Sequence, residues 1–134
     1  MTYQSAITLS QTSGTVYTGE SLALTATTAP AGQAVTWSSD APAVAAVDEN
    51  GVVTGLAAGT ATITAVLEEG MVAECEVIVL EKVIDFRYNI NTEVYKGNTI
   101  TLIPYVEPAN EPITWTSLQP EIATVNQNGE VTGI

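Results

Sequence analysis

VTWSSDAPAVAAVDENGVVTGL, residues 35–56, returns near the end of the chain as ITWTSLQPEIATVNQNGEVTGI, residues 113–134. Trp37 and Trp115 stand 115 − 37 = 78 positions apart. The same offset relates Tyr17 to Tyr95, Gly19 to Gly97, Leu24 to Leu102, Pro30 to Pro108, Gly51 to Gly129 and Gly55 to Gly133, with no gap between them. A period of this size is that of a whole small domain rather than of a solenoid turn. The chain of 134 residues is therefore expected to hold two modules, residues 1–80 and 81–134, although its length alone would permit one.

Inside the first copy the apolar residues recur at every second position. Leu22, Leu24 and Ala26 alternate with Ser21, Ala23, Thr25 and Thr27. Val35 shares a face with Trp37; Ala61, Ile63 and Ala65 share another, as do Ala73, Cys75, Val77 and Val79. Each run reads as a half-buried strand, and Gly or Pro separates the runs. Asn50-Gly51 between two apolar runs signals a hairpin whose two residues tolerate positive φ, and Asn128-Gly129 repeats it. No segment carries a helical face. About seven short strands in roughly 80 residues, each with one buried face, imply an all-β fold of two packed sheets. The expected architecture is a tandem of immunoglobulin-like β-sandwiches with Greek-key connections and no disulfide, because Cys75 is the only cysteine.

Composition narrows the functional classes. Hydrophobic residues make up 46% of the chain and charged ones 13%, which supplies a core and argues against intrinsic disorder. Fifteen acidic residues against three basic ones give a net charge of −12, so nucleic acid, whose phosphates require Lys and Arg, is not an expected partner. Residues 1–80 hold eight acids and no cation. Such a surface suits a protein displayed densely outside a cell. The first ten residues, MTYQSAITLS, lack the basic start and apolar run of a signal peptide, and no stretch reaches membrane-spanning length. A piece of a longer secreted protein and a chain made in the cytosol without a signal both fit.

At this point a resemblance is specific. Val16-Tyr17-x-Gly19 followed by Leu22 and Leu24, the VTWSS run, Val44-Ala45-x-Val47-Asp48 leading to Gly51-Val52-Val53-Thr54-Gly55, and finally Gly59-Thr60-Ala61-Thr62-Ile63-Thr64-Ala65 resemble the bacterial immunoglobulin-like domain of group 2. The likeness covers residues 5–80, and Tyr95, Gly97, Ile100, Leu102, Trp115, Ile122, Ala123, Val125, Gly129, Val131 and Gly133 fill the same slots over residues 83–134. The family implies repetition in bacterial surface proteins, including adhesins of the intimin and invasin kind, in cell-wall enzymes as accessory modules, and in phage tail or capsid proteins. It fixes the fold and leaves the task open.

Against that pattern the second copy lacks counterparts of Ala57–Leu80, the last two strands. Five strands of seven are expected to leave an apolar face and unpaired strand edges. Further sequence of a parent protein, strands exchanged with a second copy, or a strand from another protein could fill the gap. A boundary inside a longer protein is the favoured source. Residues 80–86 lack the Gly and Ser of a flexible tether, which predicts a stiff joint between modules.

No residue pattern points to catalysis, and no cofactor is expected. Histidine is absent, the Ser and Thr residues sit where strands place them, and Cys75 has no imidazole or Lys beside it in sequence to activate it. Glu68-Glu69 reads as a solvated turn pair. Asp48, Glu49 and Asn50 form a weak candidate calcium cluster, weighed against a plain acidic turn; the second copy has Asn126, Gln127 and Asn128 there, so a shared function cannot rest on it. Trp37 and Trp115 read as core residues rather than sugar platforms, each in phase with an apolar neighbour. Module one contains no Lys and so cannot form an internal Lys–Asn amide lock. The expected role is a non-catalytic spacer or adhesion module of a larger bacterial cell-surface protein, with neighbouring repeats, the rest of a longer chain, or a host-surface protein or glycan as partners. A phage virion protein is the alternative, and an accessory carbohydrate-binding module of a cell-wall enzyme comes third.

Overall fold

The computed structural model of the chain describes residues 5–86 and 92–134. It is all-β among the described residues and divides into two compact units, Met1–Glu81 and Lys82–Ile134.

In the first unit, one layer is a four-stranded sheet ordered β2-β9-β8-β5, from Ser13–Tyr17, Val72–Leu80, Gly59–Leu67 and Val35–Ser39. The facing layer joins β3 (Ser21–Ala23), β7 (Val52–Gly55) and β6 (Ala45–Val47) in the order β3-β7-β6, with β1 (Ala6–Leu9) paired to β4 (Ala26–Ala29). This is the Ig-like sandwich. The run Leu22-Leu24-Ala26, expected as one strand, breaks at Leu24-Thr25 because it changes partners there. Leu24 N–H donates to Gly51 O at 2.9 Å on the β7 side, while Ser10 N–H donates to Thr25 O at 2.8 Å on the β1 side.

The centre of the four-stranded sheet is the β8–β9 hairpin. It pairs in register from Gly59↔Val79 to Val66↔Val72, then adds β5 through Trp37↔Ala65 and β2 in parallel through Thr15↔Ile78. Its inward side chains Ala61, Ile63, Ala65, Leu67, Cys75, Val77 and Val79 are each 1% exposed or less. Val16, Leu24, Ala45 and Val53 meet them from the other strands, and Leu9 and Trp37 pack at the margin of this core. The period-two pattern is realised here without exception.

The second unit repeats the frame in part. Its strands are β10 (Val83–Asp85), β11 (Thr99–Thr101), β12 (Tyr105–Glu107), β13 (Ala123–Val125) and β14 (Glu130–Gly133). β10 pairs with β12, and β11-β14-β13 reproduces β3-β7-β6, with Thr99↔Thr132 standing where Ser21↔Thr54 stands. The Thr99 and Thr132 hydroxyls are 3.0 Å apart, and those of Ser21 and Thr54 are 3.4 Å apart. The Ala29-Pro30 and Glu107-Pro108 peptides are both cis.

Two features differ from the sequence reading. The Val83↔Glu107 pair matches Ala6↔Ala29 only with an offset of 83 − 6 = 77 for the first strand, so the second unit has one extra residue between that strand and Tyr95. Ile84 is thereby the counterpart of Ile7 and Phe86 that of Leu9. The second difference is larger. Residues 113–117, ITWTS, form no strand, nor do residues 92–95, although their counterparts are β5 and most of β2. Those strands exist in the first unit because β8 and β9 pair with them, and the described residues of the second unit form no equivalent hairpin. Among the described residues every buried hydrophobic side chain lies in the first unit, and the corresponding Leu102, Ala123 and Val131 are only half-buried.

Ile63 is wholly buried at the middle of the β8–β9 pair. Ile63→Ala is expected to cost about 2–5 kcal/mol, the range for truncating a buried aliphatic side chain where neighbours cannot collapse into the space. Urea unfolding followed by Trp37 fluorescence in a Trp115→Phe background measures it, and a loss under about 1 kcal/mol would show that this hairpin is not the core.

Candidate functional site

The acidic turn is built from main chain outward. β6 and β7 are joined by Asp48-Glu49-Asn50-Gly51, and the Asp48 carboxylate Oδ1 accepts the N–H groups of Asn50 and Val52, each at 2.9 Å. Asp48 N–H donates to Val52 O at 3.0 Å and Gly51 N–H donates to Asp48 O at 3.2 Å. Only Gly51 has positive φ, at 82°, and no non-glycine residue does among those described. The hairpin that Asn50-Gly51 signals is present, since β6 and β7 pair antiparallel, and its turn is a four-residue loop held by a side-chain cap in which Gly51 alone takes positive φ. A Cβ on Gly51 would come within 2.6 Å of Leu24 O and 2.7 Å of the Trp37 ring, so the glycine is needed for close approach as well as for φ.

The second unit forms the same turn with an uncharged amide. Asn126 Oδ1 accepts from Asn128 N–H at 2.9 Å and Glu130 N–H at 3.1 Å, and Gly129 has φ 78°. What the position requires is an oxygen acceptor, which Asp and Asn both supply. In the first unit Asp48 Oδ1 is engaged by two amides. Among the described residues no three His, Cys, Asp or Glu side chains cluster as a metal site would.

The other candidates fall apart as groups. Glu69 accepts a hydrogen bond from the Ser5 hydroxyl at 2.8 Å at the turn between β8 and β9. Cys75 is wholly buried and free, and burial pushes its thiol pKa up. A raised pKa removes thiolate character, the opposite of what a nucleophile needs. Trp37 is half-buried against both parts of the first core.

The surface feature that stands out lies in the second unit. Phe86, Leu102, Trp115, Val125 and Val131 line an open apolar cavity of about 260 Å³. The Phe86 and Trp115 ring centroids are 5.9 Å apart at a tilt of 48°. Elsewhere in the same unit Leu118 is 97% exposed and Tyr95 83%. Leu118 was not singled out, and its only signal was that it replaces the acid Asp40.

A doubled Ig-like sandwich frame with these turns defines a class, the Ig-like β-sandwich module. The sequence profile of the bacterial Ig-like domain (group 2) matches residues 5–77 and 82–134, and the chain belongs to that family. Domains of this family are generally non-catalytic. An uncharacterized protein of Clostridium acetobutylicum is 34% identical over 142 residues, covering 94% of this chain and 14% of the relative. The minor capsid protein of Enterobacteria phage T3 is 48% identical over 75 residues, covering 54% of this chain and 17% of that protein. The chain therefore spans less than a fifth of the length of these relatives. Among solved structures, an intimin mutant of EHEC O157:H7 aligns at 17% identity with a TM-score of 0.48, covering 62% of this chain and 51% of that one.

Two measurements test this account. Asp48→Asn should leave stability within about 0.5 kcal/mol, as Asn126 already does the same work, whereas Asp48→Ala should cost about 1–2 kcal/mol by leaving two turn amides without their acceptor. Equal losses in urea for the two variants would refute the cap. For Cys75, the folded pKa is raised, so the thiol's contribution is fully present below the unfolded value of about 8.5 and is lost as pH rises toward the folded one. The stability difference between the wild-type chain and Cys75→Val should therefore shift against the wild type as pH rises above about 8.5, and a pH-independent difference would refute it.

Proposed function

We propose that this chain is a non-catalytic Ig-like spacer or adhesion module of a larger bacterial cell-surface protein. The observation that carries the reading is the tandem match of both units to one bacterial Ig-like family. Repetition of a self-contained sandwich sets the distance between whatever lies at either end, which needs folding stability and solubility but no reactive group. An acidic first module and a buried, unreactive Cys75 suit a chain exposed to solvent beside copies of itself. Neighbouring repeats, and a host-surface protein or glycan, are its partners in this reading.

A second reading has its own support. The 48% identity to a phage minor capsid protein over 75 residues favours an Ig-like domain carried on a virion. Sugar binding by an accessory module is the weakest of the three, since Trp37 and Trp115 are half-buried rather than displayed as a stacking platform.

Antibody raised against the chain separates the two. Labelling of intact cells of the source organism, removed by brief protease treatment, is the expected result for a surface module. Absence from cells together with labelling of purified phage particles would overturn it in favour of the virion.

A further inference from the structure

Asn50-Gly51 and Asn128-Gly129 are the only two Asn-Gly pairs in the chain, and both occupy the same turn. The dipeptide has a chemistry of its own. A main-chain nitrogen that follows asparagine can attack the side-chain carbon Cγ and close a five-membered imide, and glycine alone puts no side chain in the way of that approach. The N–Cγ bond forms, the Cγ–Nδ2 bond breaks, and ammonia leaves with the proton of the attacking nitrogen. Water then opens the ring. Attack at Cγ leaves aspartate in an unaltered main chain; attack at the main-chain carbonyl carbon leaves isoaspartate, whose main chain is one carbon longer. Asn50 and Asn128 are both exposed, and among the described residues neither side-chain amide takes a hydrogen bond, so the electrophile is free in both turns.

The nucleophile is held. Gly51 N–H donates to Asp48 O and Gly129 N–H to Asn126 O, each at 3.2 Å, so the proton that must leave is already bonded. Leu24 N–H holds Gly51 O and Leu102 N–H holds Gly129 O, each at 2.9 Å. Because the peptide is planar, the nitrogen cannot swing toward Cγ without carrying the glycine Cα with it. That Cα is confined: a Cβ there would meet Leu24 O at 2.6 Å and the Trp37 ring at 2.7 Å, or Leu102 O at 2.8 Å and the Trp115 ring at 2.9 Å. We propose that Asn50-Gly51 and Asn128-Gly129 are sites of spontaneous deamidation gated by opening of their turns, and that Asp48 and Asn126 govern that opening. Each of these two side chains accepts the N–H groups on either side of the glycine nitrogen, those of Asn50 and Val52 or of Asn128 and Glu130. Turns open and close far faster than an imide forms, so the rate is the free-peptide rate multiplied by the fraction of time the turn is open. Aspartate at position 50 adds only a charge to a solvent-facing side chain. Isoaspartate displaces Gly51 from its place beside Trp37, so that product does not re-form the turn. The inference holds whether the chain serves a cell surface or a virion.

The test holds the full 134-residue chain in mildly alkaline buffer and maps deamidation by mass spectrometry beside the free peptides of residues 44–56 and 122–134. Asn50 and Asn128 are expected to react at least about tenfold more slowly than in the peptides, yet ahead of Asn98, Asn110 and Asn126, which precede Thr, Glu and Gln. Asp48→Ala should speed Asn50 several-fold toward its peptide rate and leave Asn128 unchanged. Asn126→Ala should do the reverse, and Asp48→Asn should stay near the wild type. Hydrogen exchange of the Gly51 and Gly129 amides in the wild-type chain gives a check that needs no variant, since one opening frees both the proton and the nitrogen. Its protection factor should match the slowing of deamidation within several-fold. Rates equal to those of the peptides would overturn gating by the turn, as would a slowing far beyond the amide protection. Cap variants that alter both turns, or neither, would overturn control by Asp48 and Asn126, and faster reaction at another asparagine would overturn the assignment of the sites.

Discussion

The β8–β9 hairpin is the constraint on which the first unit rests. It is long, with eight paired positions from Gly59↔Val79 to Val66↔Val72, and it carries β2 on one flank and β5 on the other. Its inward residues are all small or aliphatic, so the facing layer approaches closely along its whole length. Deleting it would remove the central pairing of one sheet and more than half of the fully buried side chains at once. The remaining strands have hydrogen-bonding edges but no shared floor.

The second unit serves as a control for that statement within the same molecule. VTWSS and ITWTS differ by conservative exchanges, with Trp37 and Trp115 at the same place in each. One is β5 and the other is not a strand. Intrinsic preference therefore does not decide the outcome here; cross-strand pairing and burial do. The turn before β14, in contrast, is intact in both units. Its bonds run from Asn126 to residues two and four positions on, so it closes on itself and asks nothing of the absent strands. The β3-β7-β6 set survives for a similar reason, since all its partners lie within the retained sequence.

This division explains what was legible in the sequence. Alternation located the inward residues Ala61, Ile63, Ala65, Cys75, Val77 and Val79 of β8 and β9, because a period of two has one interpretation when one face is sealed, but it was not followed on to Leu67. The repeat located the open face of the second unit, because a missing counterpart is visible without coordinates. The partner change at Leu24-Thr25 was not legible, since the alternation of Leu22, Leu24 and Ala26 continues through it undisturbed. Nor was the extra residue before Tyr95, which only the pairing of Val83 with Glu107 exposes. The hairpin that Asn50-Gly51 signals forms between β6 and β7, but the dipeptide does not show its length. Asp48, two residues earlier, fixes a longer turn through its side chain, and a dipeptide rule does not see it.

The corner at Asp40 shows how a single side chain ends a strand pairing in one unit and not in the other. In the first unit the Asp40 carboxylate accepts the Thr62 N–H at 2.8 Å, giving β8 a charged acceptor where its pairing with β5 runs out beyond Ser39↔Ile63. Leu118 offers no acceptor at the equivalent place. Leu118 is 97% exposed there, so the charged end-cap of the first unit is one local feature that the repeat does not carry over, although the frame of β3, β7 and β6 is carried over strand for strand.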